Sequence, residues 1–142
     1  MARDIAIRRE MLPPSLLPGR KVLVIEDDPG ERAFYCRVLH KHGFEVNACE
    51  SVAEGARLLE EQHYDFVLLE QGSRAFEGRL VLERVQAIDR HLPAVVLTRC
   101  VDMQCYLEAM QMGAVDYLEK PLSESEVLRV VETHLRPQSS VA

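Results

Sequence analysis

Apolar positions change their period along this chain in a regular way. Val22, Leu23, Val24 and Ile25 run without a polar break, the mark of a strand buried on both faces. Pro29 then opens a stretch with Ala33, Phe34, Val38 and Leu39 at helical spacing, and Gly43 stops it. The alternation repeats. Phe44 to Cys49 predicts a second, shorter strand, and a Ser51/Glu54 capping box starts a helix with Ala53, Ala56 and Leu59. Tyr64 to Glu70 reads as a third buried strand, after which Leu80, Val81, Val85 and Ile88 supply the inner face of the next helix. Ala94 to Leu97, ending at Thr98, is a fourth strand, followed by a helix with Tyr106, Leu107 and Met110 that Gly113 ends. Val115 to Glu119 is the fifth, and Ser123 with Glu126 caps a last helix bearing Val127, Val130 and Val131. Strand and helix joined by such short connections imply an α/β doubly wound fold, a parallel sheet with helices on both faces.

Residues 1–20 stand outside this rhythm. Arg3, Arg8 and Arg9 surround Ile5, Ile7, Met11 and Leu12, and Pro13, Pro14 and Pro18 then force an extended linker. We read them as an N-terminal extension, either a plain leader or an arm that packs on a partner or a second copy. We expect residues 21–136 to form one domain and 137–142 a flexible tail, with no DNA-binding or catalytic output region after residue 135, in either a stand-alone domain or a fragment of something longer. The 142 residues, 47% of them hydrophobic, suffice for one ordinary core. A net charge of -6 and a pI near 5.4 argue against nucleic acid or anionic membrane as the principal partner, because binding to either begins with a basic footprint. No apolar run approaches the ~20 residues that span a bilayer, and the first residues lack a secretory core, so a cytoplasmic protein is expected. Cys36, Cys49, Cys100 and Cys105 show neither CxxC pairing nor a histidine at zinc-ligand spacing, and read as reduced, mostly buried thiols.

Candidate chemistry gathers at one edge. Glu26, Asp27 and Asp28 lie in the turn after the first strand, and Glu70 ends the third. With strand order 2-1-3-4-5 the crevice opens between strands one and three, so this turn faces Glu70. Carboxylates held this close raise one another's pKa values unless a cation sits among them, and Mg2+ is the natural hard ion for such oxygens. The plainer reading is that Asp27 and Asp28 solvate the turn and cap the helix after Pro29. Thr98 and Lys120, ending strands four and five at the same edge, favour the first reading. A hydroxyl and a fixed ammonium beside an acidic metal site are what phosphoryl transfer to a carboxylate needs.

With VLVIEDDP at Val22 to Pro29, YDFVLLE followed by Gly78, Thr98, and GAVDYLEKP at Gly113 to Pro121, residues 21–135 resemble response-regulator receiver domains, the flavodoxin-like, CheY-like fold. The resemblance implies a domain of two-component phosphorelay signalling. A histidine kinase phosphorylates a carboxylate at the end of strand three, using Mg2+. It places Glu70 at the phosphoacceptor position, and Glu26, Asp27, Glu70 and the carbonyl of Gly72 around the metal, with Asp27 the more direct ligand. It makes Thr98 and Lys120 the groups that contact the phosphoryl oxygens, Thr98 and Tyr117 the switch pair, and Lys120–Pro121 a cis bond. Partners implied are a histidine kinase or a downstream signalling protein, and a homodimer through the fourth helix, fifth strand and fifth helix. Met103, Met110 and Met112 lie beside that face. One of them is expected in the core and the others on an adaptable contact surface.

Three residues depart from the family pattern. Glu70 stands where the acceptor is aspartate, Arg74 where the loop usually has proline, and Arg99 where a small residue follows the threonine. One methylene displaces the attacking oxygen by about a bond length, which near-attack geometry tolerates poorly. Our leading expectation is an atypical, non-enzymatic receiver that works without phosphorylation. Glu70 then reaches Lys120 or Arg99 and imitates the phosphorylated form in part, with Arg99 pairing Glu70 to gate the site. Slow phosphorylation of Glu70 or a neighbouring acid, a fold kept as a scaffold, and a Mg2+-dependent phosphatase-like enzyme stand as alternatives.

Overall fold

Strands and helices alternate along the chain as β1 (Lys21–Ile25), α1 (Pro29–Lys41), β2 (Glu45–Cys49), α2 (Val52–Glu61), β3 (Phe66–Glu70), α3 (Arg79–Ile88), β4 (Ala94–Thr98), α4 (Met103–Gln111), β5 (Asp116–Glu119) and α5 (Glu124–His134). The computed structural model describes residues 20–135, so the expectations for the leader before them and the tail after them fall outside the described residues. All strand pairs are parallel, in the order β2-β1-β3-β4-β5. This is the doubly wound fold that the pattern predicts.

Two-residue periodicity divides the core between the faces of the sheet. Leu23, Ile25, Val67, Leu69 and Val96 meet Leu59 of α2, Val81, Leu82 and Val85 of α3, and Cys105 and Ala109 of α4. Val22, Val24, Phe66, Leu68, Val95 and Leu97 meet Tyr35, Val38 and Leu39 of α1 and Val127 and Val131 of α5. Full burial of each large aliphatic or aromatic side chain stabilises by roughly 1.5–3 kcal/mol.

Register aligns the carboxyl ends. Ile25 pairs with Leu69, Glu70 with Leu97 and Thr98 with Glu119, so the residues that follow β1, β3, β4 and β5 emerge together. Helix ends follow their caps. Asp28 accepts from Glu31 N–H at 2.8 Å to start α1, and Asp102 accepts from Cys105 N–H at 3.0 Å to start α4. Ser123 and Glu126 close a full capping box on α5. On α2 only half of the expected box forms, because Ser51 caps Glu54 N–H while the Glu54 carboxylate turns to Arg57 at 3.7 Å.

Helix faces needed correction too. Leu80 and Ile88 of α3 are exposed, and Leu82 takes the inner place beside Val81 and Val85. On α4 the inner residues are the small Cys105 and Ala109, which leaves Met103, Tyr106, Leu107 and Met110 facing outward. Met112 packs against the core, and Cys36 and Cys100 are less buried than expected. Gly78 is a glycine of close approach, since a Cβ there would lie 2.7 Å from the Glu70 carbonyl.

Candidate functional site

The turn after β1 separates its three acids. Glu26 is buried, with one oxygen 2.8 Å from Lys120 Nζ and the other accepting from Asp28 N–H at 3.0 Å. Asp28 is the α1 cap already described, as the plainer reading held. Asp27 is exposed, and among the described residues its carboxylate makes no ion pair or side-chain hydrogen bond.

Lys120 follows β5, joined to Pro121 by the expected cis bond, and its main-chain N–H donates to Thr98 O at 2.8 Å. Its ammonium sits among three carboxylates: Glu26, Glu70 and, 2.7 Å away, Glu31 in the first turn of α1. Suitable oxygens of the three acids lie within 4.8 Å of one another, close enough to repel strongly without a cation between them. Burial pushes the Glu26 carboxyl up to about 7, against the hydrogen bonds from Lys120 and Asp28 that lower it. Burial also works against the Lys120 ammonium, but its hydrogen bonds to Glu26, Glu31 and Glu70 outweigh it and raise its pKa. Lys120 is thus the cation that holds the acids together.

Glu70, at the tip of β3, gives one oxygen to Lys120 and accepts from Gly72 N–H with the other at 3.2 Å. Gly72 has φ +89°, a conformation that leaves no strain-free place for a Cβ. Arg99 does not reach Glu70. Its guanidinium pairs with Glu31 and lies 3.9 Å from Asp28, because the stem leaving β4 crosses toward α1 rather than along the sheet edge. Thr98 is buried and its hydroxyl donates to Cys100 O at 2.9 Å while accepting from Cys100 N–H at 3.1 Å. Tyr117 is turned inward and buried, which pushes its phenol pKa up, and it donates to Gln71 Oε1.

Glu31 and Gln71 were missed from the sequence. An acid in a first helical turn has an ordinary reading as a dipole partner, and a glutamine after a strand an ordinary one as a loop residue. A capping side chain at Asp28 and a tyrosine in β5 were the signals that point to them.

Above these residues lies a cleft of about 650 Å3, whose lining includes Asp27, Glu50, Glu70, Gly72, Glu77 and Arg99. Its donors are almost all oxygen, which suits a hard divalent ion. Asp27 and Glu70 border it from two strands with the Gly72 main chain between, and they fit such an ion. Glu26 also lines the cleft and shares with Glu31 and Glu70 a group of carboxylate oxygens within 4.8 Å of one another, although Lys120 pairs with all three.

A doubly wound sheet with paired acids, a hydroxyl and a lysine at its carboxyl edge is the arrangement expected of a signalling receiver domain. The sequence model of the response regulator receiver domain matches residues 22–132, and the chain belongs to that family. It is 29% identical over 127 residues to the phosphate regulon transcriptional regulatory protein PhoB of Klebsiella pneumoniae, covering 87% of this chain and 55% of that protein. It is 22% identical over 122 residues to sporulation initiation phosphotransferase F of Bacillus subtilis, covering 86% and 98%. The crystal structure of a response regulator receiver domain protein from Clostridium thermocellum superposes with a TM-score of 0.74 at 26% identity, covering 81% of this chain and 93% of that one. The chain spans only about half the length of transcriptional regulators such as PhoB. Among the described residues no helix is long and apolar enough to cross a membrane.

Proposed function

We propose that this receiver domain signals through protein contacts without being phosphorylated, with Glu70 standing where the acceptor aspartate belongs. One observation carries the reading: both Glu70 oxygens are engaged, one on Lys120 and one on Gly72 N–H. A nucleophile needs a free oxygen in line with the donor, and an extra methylene moves that oxygen by about a bond length. The same contact gives Lys120 the anion that a phosphoryl group would otherwise supply. The imitation is partial, since a phosphoryl group brings roughly -1.5 to -2 of charge and three acceptor oxygens.

Asp27, Glu70 and the Gly72 carbonyl are the residues that would hold Mg2+, which would neutralise the acids facing the cleft. Glu26 is also the buried anchor of Lys120, a role that does not suit the nucleophile of a phosphatase. Met103, Tyr106, Leu107 and Met110 form an apolar stripe on α4, 36–66% exposed, suited to a downstream protein or a second copy of the domain. A cytoplasmic setting, with a histidine kinase or another signalling protein as partner, accords with this reading.

Incubation with acetyl phosphate and Mg2+, read by intact mass, tests the proposal on wild type and Glu70→Asp. No adduct on the wild type and an adduct on Glu70→Asp are expected. A stable adduct on wild-type Glu70 overturns the reading, and peptide mapping separates that case from phosphorylation of Asp27.

A further inference from the structure

Gln71 is the least expected buried residue of the domain. It follows Glu70 directly, is 2% exposed, and carries a primary amide at the floor of the cleft. Its amide is nonetheless satisfied at both ends: Oε1 accepts from the Tyr117 hydroxyl, and Nε2 donates to Ser73 O at 3.2 Å. Its main chain is fixed too, with N–H on Leu97 O at 2.8 Å and C=O accepting from Gly78 N–H at 3.0 Å. Gln71 therefore has little freedom to move with respect to β3, β4 or the start of α3.

From Tyr117 the connection continues to α4. The Tyr117 oxygen accepts from Asp102 N–H at 3.2 Å, and Asp102 is the residue whose carboxylate caps that helix. Two further contacts tie the same loop to the same helix end. Arg74, noted above as a departure, places its guanidinium 3.3 Å from the Asp102 carboxylate, and its carbonyl accepts from Cys105 Sγ at 3.5 Å. The Tyr117 ring also packs edge-on against Tyr106, with centroids 5.6 Å apart. Tyr106 belongs to the exposed stripe.

We infer that Gln71 is a positioning residue that latches Tyr117 inward, and through Asp102 and Tyr106 fixes the α4 surface in one arrangement, with no phosphoryl group required. An outward Tyr117 would leave Gln71 Oε1 buried without a donor and Asp102 N–H without its acceptor, and unpaired buried polar groups of this kind are strongly disfavoured. None of these contacts involves the Glu70 carboxylate, and only the clause that no phosphoryl group is required rests on the proposed function.

Fluorine NMR of the full chain labelled with 3-fluorotyrosine tests it, with the Tyr117 line assigned by its loss in Tyr117→Phe. In the wild type that line is expected to be single, insensitive to exchange of H2O for D2O, and unmoved by acetyl phosphate with Mg2+. Gln71→Leu is expected to shift the line toward the solvent-exposed position and to speed amide exchange over residues 99–105 about tenfold, leaving residues 124–134 unchanged. Tyr117→Phe, which removes the same bond from its other end and keeps the ring, is expected to speed that exchange similarly. It supplies the reading if Gln71→Leu fails to fold. A solvent-exposed Tyr117 line in the wild type, a line that moves with the phosphodonor, or unchanged exchange in the variants overturns the inference.

Discussion

Glu31 bridges two cations: one carboxylate oxygen lies 2.7 Å from Lys120 Nζ, and the other pairs with the Arg99 guanidinium. A residue of the first turn of α1 thereby joins the end of β5 to the loop after β4. Glu31→Gln is expected to lower stability by about 1 kcal/mol, the range of a partly exposed ion pair in a network. Urea unfolding of Glu31→Gln, Arg99→Ala and the double variant should give a coupling energy clearly different from zero. Strict additivity would mean that the Glu31–Arg99 arm of the bridge contributes nothing.

The buried pair of Glu26 and Lys120 sets a pH dependence. Because the Glu26 pKa in the fold, about 7, lies above its ordinary 4.5, the native state keeps a proton there that the unfolded chain has already lost. The stability contributed by this group is complete below pH 4.5 and is lost as pH rises to about 7. In metal-free buffer with chelator, Glu26→Gln should flatten the stability profile across that window. Lys120→Met should cost about 3–5 kcal/mol where Glu26 is ionised, and less where it is protonated.

Close packing at the end of β3 makes a third expectation. Gly78→Ala would set a Cβ 2.7 Å from the Glu70 carbonyl, a backbone atom with little room to yield. A loss of roughly 1–3 kcal/mol is expected from this overpacking. Thermal unfolding monitored by circular dichroism would measure it, and an unchanged midpoint would show that α3 shifts freely.

The α4 stripe invites association. Met103→Lys combined with Leu107→Lys, both at exposed positions, should leave folding intact within about 0.5 kcal/mol. If the stripe is the contact surface, sedimentation should show any self-association of the wild type abolished in this variant. Association that survives the two lysines would place the contact elsewhere.

Much of this molecule was legible in the order of its residues. The runs Val22 to Ile25, Phe66 to Leu69 and Ala94 to Leu97 could bury only as central parallel strands, and their polar ends had to meet at one edge. Helix faces were less legible: Leu80 and Leu82 lie on opposite flanks of the Val81/Val85 line, and periodicity alone does not say which flank turns inward. The site was legible where a residue ends a strand, as at Glu70 and Lys120, because register fixes those positions. It was illegible where a long side chain chooses among acids. Arg99 lies far closer in sequence to Glu70 than to Glu31 yet pairs with Glu31, and only the path of its stem decides. Gln71 escaped notice because its partner, Tyr117, lies 46 residues away on another strand.

The division of the core between the two faces has a consequence for how the domain is made. On one face the partners of the sheet, α2, α3 and α4, arrive in succession as the chain grows. On the other face Val22, Val24 and Phe66 wait for Val127, Val131 and Leu135 of the final helix and its end. During synthesis α1 therefore lies on a half-covered sheet until nearly the whole domain has left the ribosome. That late-closing face is where a chaperone would find the nascent chain.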